Sequence, residues 1–90
     1  MSETYINRLR GFRARAGKTQ AELGAMLAHP TKQQHVALIE RGRVLPLTET
    51  AWEFAAALSE LIGEPVTVRQ IFPGLKKRWK ERGCIRGGRR

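Results

Sequence analysis

Apolar residues recur at three- and four-residue steps along most of the chain, and glycine or proline interrupts each stripe. Tyr5, Ile6, Leu9, Phe12 and Ala16 form the first stripe, with arginines between them. The spacing predicts an amphipathic helix over roughly Thr4 to Ala16. Gly17 follows as a residue able to take positive φ and end it. Thr19 and Glu22 match the S/T-x-x-E/Q capping box, which opens a second helix from Gln20 to about Leu27. Leu23 and Leu27 point inward there, and Ala21 and Gly24 are small enough for close packing. Pro30 cannot continue a helix and biases His29 towards extended backbone, so the second helix stops at or before Ala28. Thr31 and Gln34 repeat the capping-box spacing and predict a third helix from Lys32 to Arg41, with Val36 and Ile39 buried and Gly42 closing it.

Arg43 to Leu47 reads as an extended link. Thr48 is the expected N-cap of a fourth helix, with Glu49 in its first turn, where the helix dipole favours an anion. That helix runs from Glu49 to about Ile62 and buries Ala51, Phe54, Ala55, Leu58 and Ile62. Trp52 and Phe54 are two residues apart and cannot both face inward. Core is the usual place for a tryptophan, and a dimer contact is the minority reading for Trp52. Gly63 and Pro65 break the pattern, and Thr67 with Gln70 forms a third capping box before Val68, Ile71 and Phe72. Pro73-Gly74 ends the globular pattern. The expectation is an all-α domain of five short helices over residues 1–74, with a basic tail over residues 75–90.

Composition sharpens this outline. Ninety residues make one small domain, and the single cysteine, Cys84, has no partner for an internal disulfide. The first residues lack the basic-then-apolar run of a signal peptide, and no apolar run is long enough to span a bilayer. A soluble, cytoplasmic protein with no membrane partner is expected. The formal net charge of +9 is unevenly spread: +4 over residues 1–18, zero over 19–42, −2 over 43–74 and +7 over 75–90. Two cationic ends favour a polyanionic partner, because each neutralised phosphate releases condensed counterions.

The helix pair from Thr19 to Gly42 gives that charge a use. Two short helices start close together, and the second opens with Lys32, Gln33 and Gln34. This is an arrangement that places a helix N-terminus in a DNA major groove. Glutamine is bidentate towards adenine N6 and N7, and lysine donates to guanine O6 and N7. Other chemistry finds little support. His29 and His35 lie six apart and Cys84 is far away, which matches no zinc-ligand spacing, so no metal is expected. No phosphate loop, activated nucleophile or free carboxylate pair is present, and neither an enzyme nor a cofactor is expected. His35 belongs beside the recognition surface, where protonation would add charge.

The order of elements resembles a known family. QAEL at Gln20 to Leu23, Ile39-Glu40-Arg41-Gly42 at the end of the third helix, Pro46, and Ala-x-Ala-Leu at Ala55 to Leu58 are similar to lambda-repressor-like domains. These are the Cro and repressor type, also called the xenobiotic response element family. The similarity covers about Ile6 to Phe72. It implies a five-helix helix-turn-helix fold that binds double-stranded DNA, commonly as a homodimer on a palindromic site. Residue by residue, it implies that Lys32, Gln33, Gln34 and Leu38 face the bases. Gln20, Arg41 and Arg43 would contact the DNA backbone, and Lys18 and His35 are grouped with them. Arg13 and Glu40 match a structural ion pair that ties the first helix to the third. Two departures stand out: the link Ala28-His29-Pro30 is longer than usual and lacks a glycine, and Ser59 to Glu64 lengthens the connection between the last two helices.

The tail residues Lys76, Lys77, Arg78 and Lys80 surround Trp79, a combination suited to nucleic acid, with aromatic stacking on bases. A solvated tail is the plain alternative. The expected function is a DNA-binding transcriptional regulator, a repressor by type. Autoregulating antitoxins and restriction controllers share the domain. A protein-binding adaptor for a toxin or RNA polymerase is the reading from another class.

Overall fold

The structure, a computed structural model, describes residues 5–75 and residue 77. Among these it is all-α: α1 spans Leu9–Ala16, α2 Gln20–Met26, α3 Gln33–Glu40, α4 Thr48–Ile62 and α5 Val68–Ile71. α2 packs on α3, α1 on α4, and α4 on α5. Leu9, Leu23, Val36, Ile39, Phe54, Leu58 and Ile71 are fully buried and draw all five helices into one core. The rings of Phe54 and Phe72 meet at 6.1 Å between centroids, tilted by 57°, within the range of favourable aromatic pairs. No helix is long and apolar enough to cross a membrane among the described residues.

Local signals set most of the boundaries. The capping boxes at Thr19 and Thr67 are both formed, each hydroxyl accepting from the N3 amide while Glu22 or Gln70 accepts from the cap amide. Gly17 and Gly63, both left-handed, end α1 and α4. The Ser59 hydroxyl donates to the Ala55 carbonyl at 2.7 Å and accepts from the Val66 amide at 2.8 Å, which anchors the link into α5.

Three expected helix starts are corrected. The first helix begins at Leu9 rather than near Thr4, because Tyr5 to Arg8 form a non-helical strap with long-range partners. The Tyr5 amide donates to the Gly42 carbonyl at 3.0 Å, its hydroxyl donates to the Pro73 carbonyl at 2.9 Å, and the Arg8 amide donates to Ile71 at 2.8 Å. Asn7 donates to the Ile39 carbonyl and takes the Leu9 amide, leaving Ile6 outward at 80% exposure. A Cβ at Gly42 would lie 2.0 Å from the Tyr5 carbonyl oxygen, so the strap needs glycine there as well as for its φ of 78°.

Thr31 does not form the second predicted capping box. Its amide donates to the Gly24 carbonyl and its hydroxyl to the His29 carbonyl, so Lys32 becomes the N-cap of α3 without a side-chain cap bond. Thr48 likewise lies inside α4, whose N-cap is Leu47, again without a side-chain cap bond. Of the two aromatic residues on α4, Phe54 is buried and Trp52 is 64% exposed. The core also continues past Gly74 to Leu75, which is 2% exposed and bonded through its amide to the Phe72 carbonyl.

Candidate nucleic-acid interface

The position of α3 follows from its two ends. At its C-terminal end Glu40 is almost buried, with its side chain 5% exposed, and pairs with Arg13 of α1. Arg13 Nε donates to Glu40 Oε2 at 2.5 Å, and a second guanidinium nitrogen donates to Oε1 at 3.3 Å. The remaining arm donates to the Lys18 carbonyl at 3.0 Å. Arginine suits this post because its planar fork serves a carboxylate and a carbonyl together. The expected Arg13–Glu40 pair is therefore present, and it ties α1 to α3.

The same carboxylate reaches towards the start of α3. The Gln20 amide donates to Glu40 Oε1 at 3.0 Å, and the Gln33 amide donates to Gln20 Oε1 at 3.5 Å. A carboxylate only accepts, so the Gln20 NH₂ must face Glu40 and its oxygen must face Gln33. The chain from Arg13 through Glu40 and Gln20 to Gln33 thus links α1, α2 and the first turn of α3. An open groove of about 580 Å³ runs beside it, lined by Arg10, Arg13, Thr19, Gln20, Gln33, Glu40 and Arg41. Three guanidinium groups against one paired carboxylate make this groove cationic.

At the N-terminal end, the long link between α2 and α3 is held from two sides. Gly24 accepts from Thr31 at 2.9 Å. His29 donates from its amide to Glu53 Oε1 at 3.0 Å and from Nδ1 to Glu53 Oε2 at 2.5 Å, which fastens the link to α4. The Glu53 carboxylate bonded to the ring raises the His29 pKa above the usual imidazole value, with further help from the charges of Glu53 and Glu49. His29 in turn lowers Glu53 below the usual carboxylate value, through the ring bond first and the amide bond second. Glu22 is also lowered, chiefly by the Thr19 amide it accepts in the capping box.

The expected contact residues are brought together in part. Lys32, Gln33, Gln34, His35 and Leu38 are all exposed on α3 and its N-cap, Leu38 at 37%. Arg41 and Arg43 are exposed just beyond it, and Lys18 and Gln20 are half-buried at the start of α2. Gln20, Gln33 and Arg41 share the groove, whereas Lys18, Lys32, Gln34, His35, Leu38 and Arg43 stand outside it. Lys77 is exposed; Lys76, Arg78 and Lys80 lie outside the described residues, as does Trp79. Sequence reasoning missed Arg10, although its three-residue spacing from Arg13 places both on one side of α1. It also missed the His29–Glu53 fastening, which joins residues with no local pattern between them.

Comparison with protein-family models, with curated protein sequences and with solved structures returned no match.

Proposed function

We propose that the chain is a sequence-specific DNA-binding transcriptional regulator of lambda-repressor-like, helix-turn-helix type, in which α3 enters the major groove and α2 crosses the backbone. The observation that carries the reading is the side-chain chain that ends on Gln33. Gln20 is held by Glu40 and Arg13, and its amide oxygen stands within 3.5 Å of the exposed Gln33 amide, which biases Gln33 towards the cationic groove. Gln33 and Gln34 suit adenine, Lys32 suits guanine, and Leu38 suits a thymine methyl. Lys18, Gln20, His35, Arg41 and Arg43 serve phosphates, which set register without reading sequence. Arg10 joins them from the groove wall. The basic tail adds affinity that does not depend on sequence.

One such domain reads few base pairs, so a homodimer on two half-sites is part of the proposal. Antitoxins and restriction controllers that repress their own operons use the same mechanics, and the reading frame beside this one distinguishes them.

Selection from a random DNA pool supplies a preferred site, and two measurements on it test the reading. Affinity falls steeply with salt, and a flat response overturns the phosphate contacts. Gln33→Ala costs about 1–3 kcal/mol on the selected site and little on random DNA. Equal losses on both would remove α3 as the reader.

A further inference from the structure

The cations of this chain are segregated. No lysine or arginine occurs from Thr19 to Thr31 or from Val44 to Val68, although the chain carries 17 of them. α4 lies wholly within the second stretch and presents Glu49, Glu53 and Glu60, with Trp52 and Ala56 among them. Helical spacing explains the grouping: 49 to 53, 52 to 56 and 56 to 60 are four-residue steps, and 49 to 52 and 53 to 56 are three-residue steps, so all five share one face.

That face is also apolar. Trp52 is 64% exposed and Met26, at the end of α2, is 44% exposed. Between the two helices runs a shallow groove of about 270 Å³, lined by Met26, Ala28, Glu53, Ala56, Ala57 and Glu60. It shares no residue with the cationic groove beside Gln33. The other carboxylates of the described residues are engaged: Glu22 caps α2, Glu40 pairs with Arg13, Glu64 with Arg15 and, on this face itself, Glu53 with His29. Glu49 and Glu60 make no ion pair or side-chain hydrogen bond among the described residues, and they lie on either side of the Trp52–Ala56 surface along the helix. In a chain of net charge +9, two carboxylates without an ion-pair partner among the described residues, around an exposed tryptophan, mark a surface complementary to cations with an apolar anchor.

We propose that the face built from Met26 of α2 with Glu49, Trp52, Ala56 and Glu60 of α4 docks a lysine- or arginine-bearing amphipathic segment of a partner protein. The anchor of that segment enters the groove beside Met26 and Ala56, and its cations lie against Glu49 and Glu60. Tryptophan and methionine are enriched at interface centres, where their large apolar surfaces leave water. A second copy of the chain fits poorly, because a two-fold self-contact would bring Glu49, Glu53 and Glu60 against their own copies. The surface stands independently of the DNA reading and leaves α3 free.

The test uses the full-length chain with Trp79→Phe, so that Trp52 is the sole tryptophan. The probe is a synthetic amphipathic helix with leucine on one face and lysine on the other; its counterpart carries glutamate in place of lysine. The lysine helix shifts Trp52 emission to the blue and moves the amide resonances of Met26, Trp52, Ala56 and Glu60. The double variant Glu49→Gln/Glu60→Gln weakens it about tenfold, as does raised salt, while Gln33→Ala leaves it unchanged. Gln33, Glu49 and Glu60 are exposed, so these substitutions keep the thermal midpoint of the Trp79→Phe parent.

Equal binding of the glutamate helix, or resonance changes confined to other helices, overturns the proposal. Trp52-dependent dimerisation in sedimentation equilibrium overturns it in favour of a second copy. Deletion of residues 76–90 that strengthens probe binding severalfold overturns it in favour of the chain's own basic segment.

Discussion

Two helical glycines in this chain face opposite situations. A Cβ at Gly24 would lie 2.2 Å from the Thr31 carbonyl oxygen and 3.1 Å from a Val36 methyl. The first obstacle is backbone, so it cannot rotate away, and Gly24→Ala must push the α2–α3 link off the helix. Overpacking of this kind costs about 1–3 kcal/mol. At Gly11 nothing lies within 4 Å of the added atom, and the residue sits inside α1. Glycine there loses backbone entropy without any steric return, so Gly11→Ala stabilises by about 1 kcal/mol. Thermal melts read both, at roughly 4–8 °C per kcal/mol for a domain of this size. A destabilised Gly11→Ala would show that another surface closes over α1. Thr19→Ala falls between them in kind, removing a formed cap bond at a cost of about 1 kcal/mol.

At the scale of elements, α3 depends on interactions that no local pattern encodes. Thr19–Glu22 and Thr67–Gln70 were legible because a capping box is complete within four residues, and both formed. Thr31–Gln34 has the same spacing and failed because the Thr31 amide donates to the Gly24 carbonyl, which holds Thr31 in the link and leaves Lys32 as the N-cap. The Tyr5 strap was misread as helix for a similar reason: Tyr5 and Leu9 have helical spacing, but the bonds that fix the strap come from residues 39, 42, 71 and 73. The Arg13–Glu40 pair was reached through a resemblance, and the Gln20 bond between them and Gln33 was not reached at all.

The His29–Glu53 fastening is likewise non-local, and its chemistry makes it depend on pH. The raised pKa of His29 means that its contribution is complete below the ordinary imidazole value of about 6.5 and is lost as pH rises through the raised value. The lowered pKa of Glu53 means that its contribution is complete above the ordinary carboxylate value of about 4.3 and is lost as pH falls through the lowered one. The link is therefore held best between about pH 5 and 6.5. Glu53→Gln should lower the His29 pKa in an imidazole NMR titration. It should also shrink the difference in thermal midpoint between pH 6 and pH 8. A His29 titration indifferent to Glu53→Gln would overturn the fastening.

Over the whole molecule, the described core and the largest block of charge meet at Leu75. Among the described residues the apolar core reaches as far as Leu75, whereas residues 76–90 carry eight cations against Glu81. Folding and polyanion affinity can then be separated by where the chain is cut. Ending the chain after Leu75 removes +7 of the +9 while keeping every buried side chain described above, so the thermal midpoint stays within a degree or two of the parent. Affinity should fall on selected and random DNA alike, because the lost contacts read no bases. Each phosphate contact adds about 0.9 to the slope of log affinity against log salt, so loss of Lys76, Lys77, Arg78 and Lys80 should flatten it by about 3 to 4. Leu75→Ala in the full chain should do the reverse: a cost of about 2–5 kcal/mol in stability with the salt slope unchanged. A shortened chain that melts like Leu75→Ala would place part of residues 76–90 in the core. An unchanged salt slope after the cut would leave the charge of α1 and the α3 ends, Arg8 to Lys18 with Lys32, Arg41 and Arg43, as the whole of the electrostatic footprint.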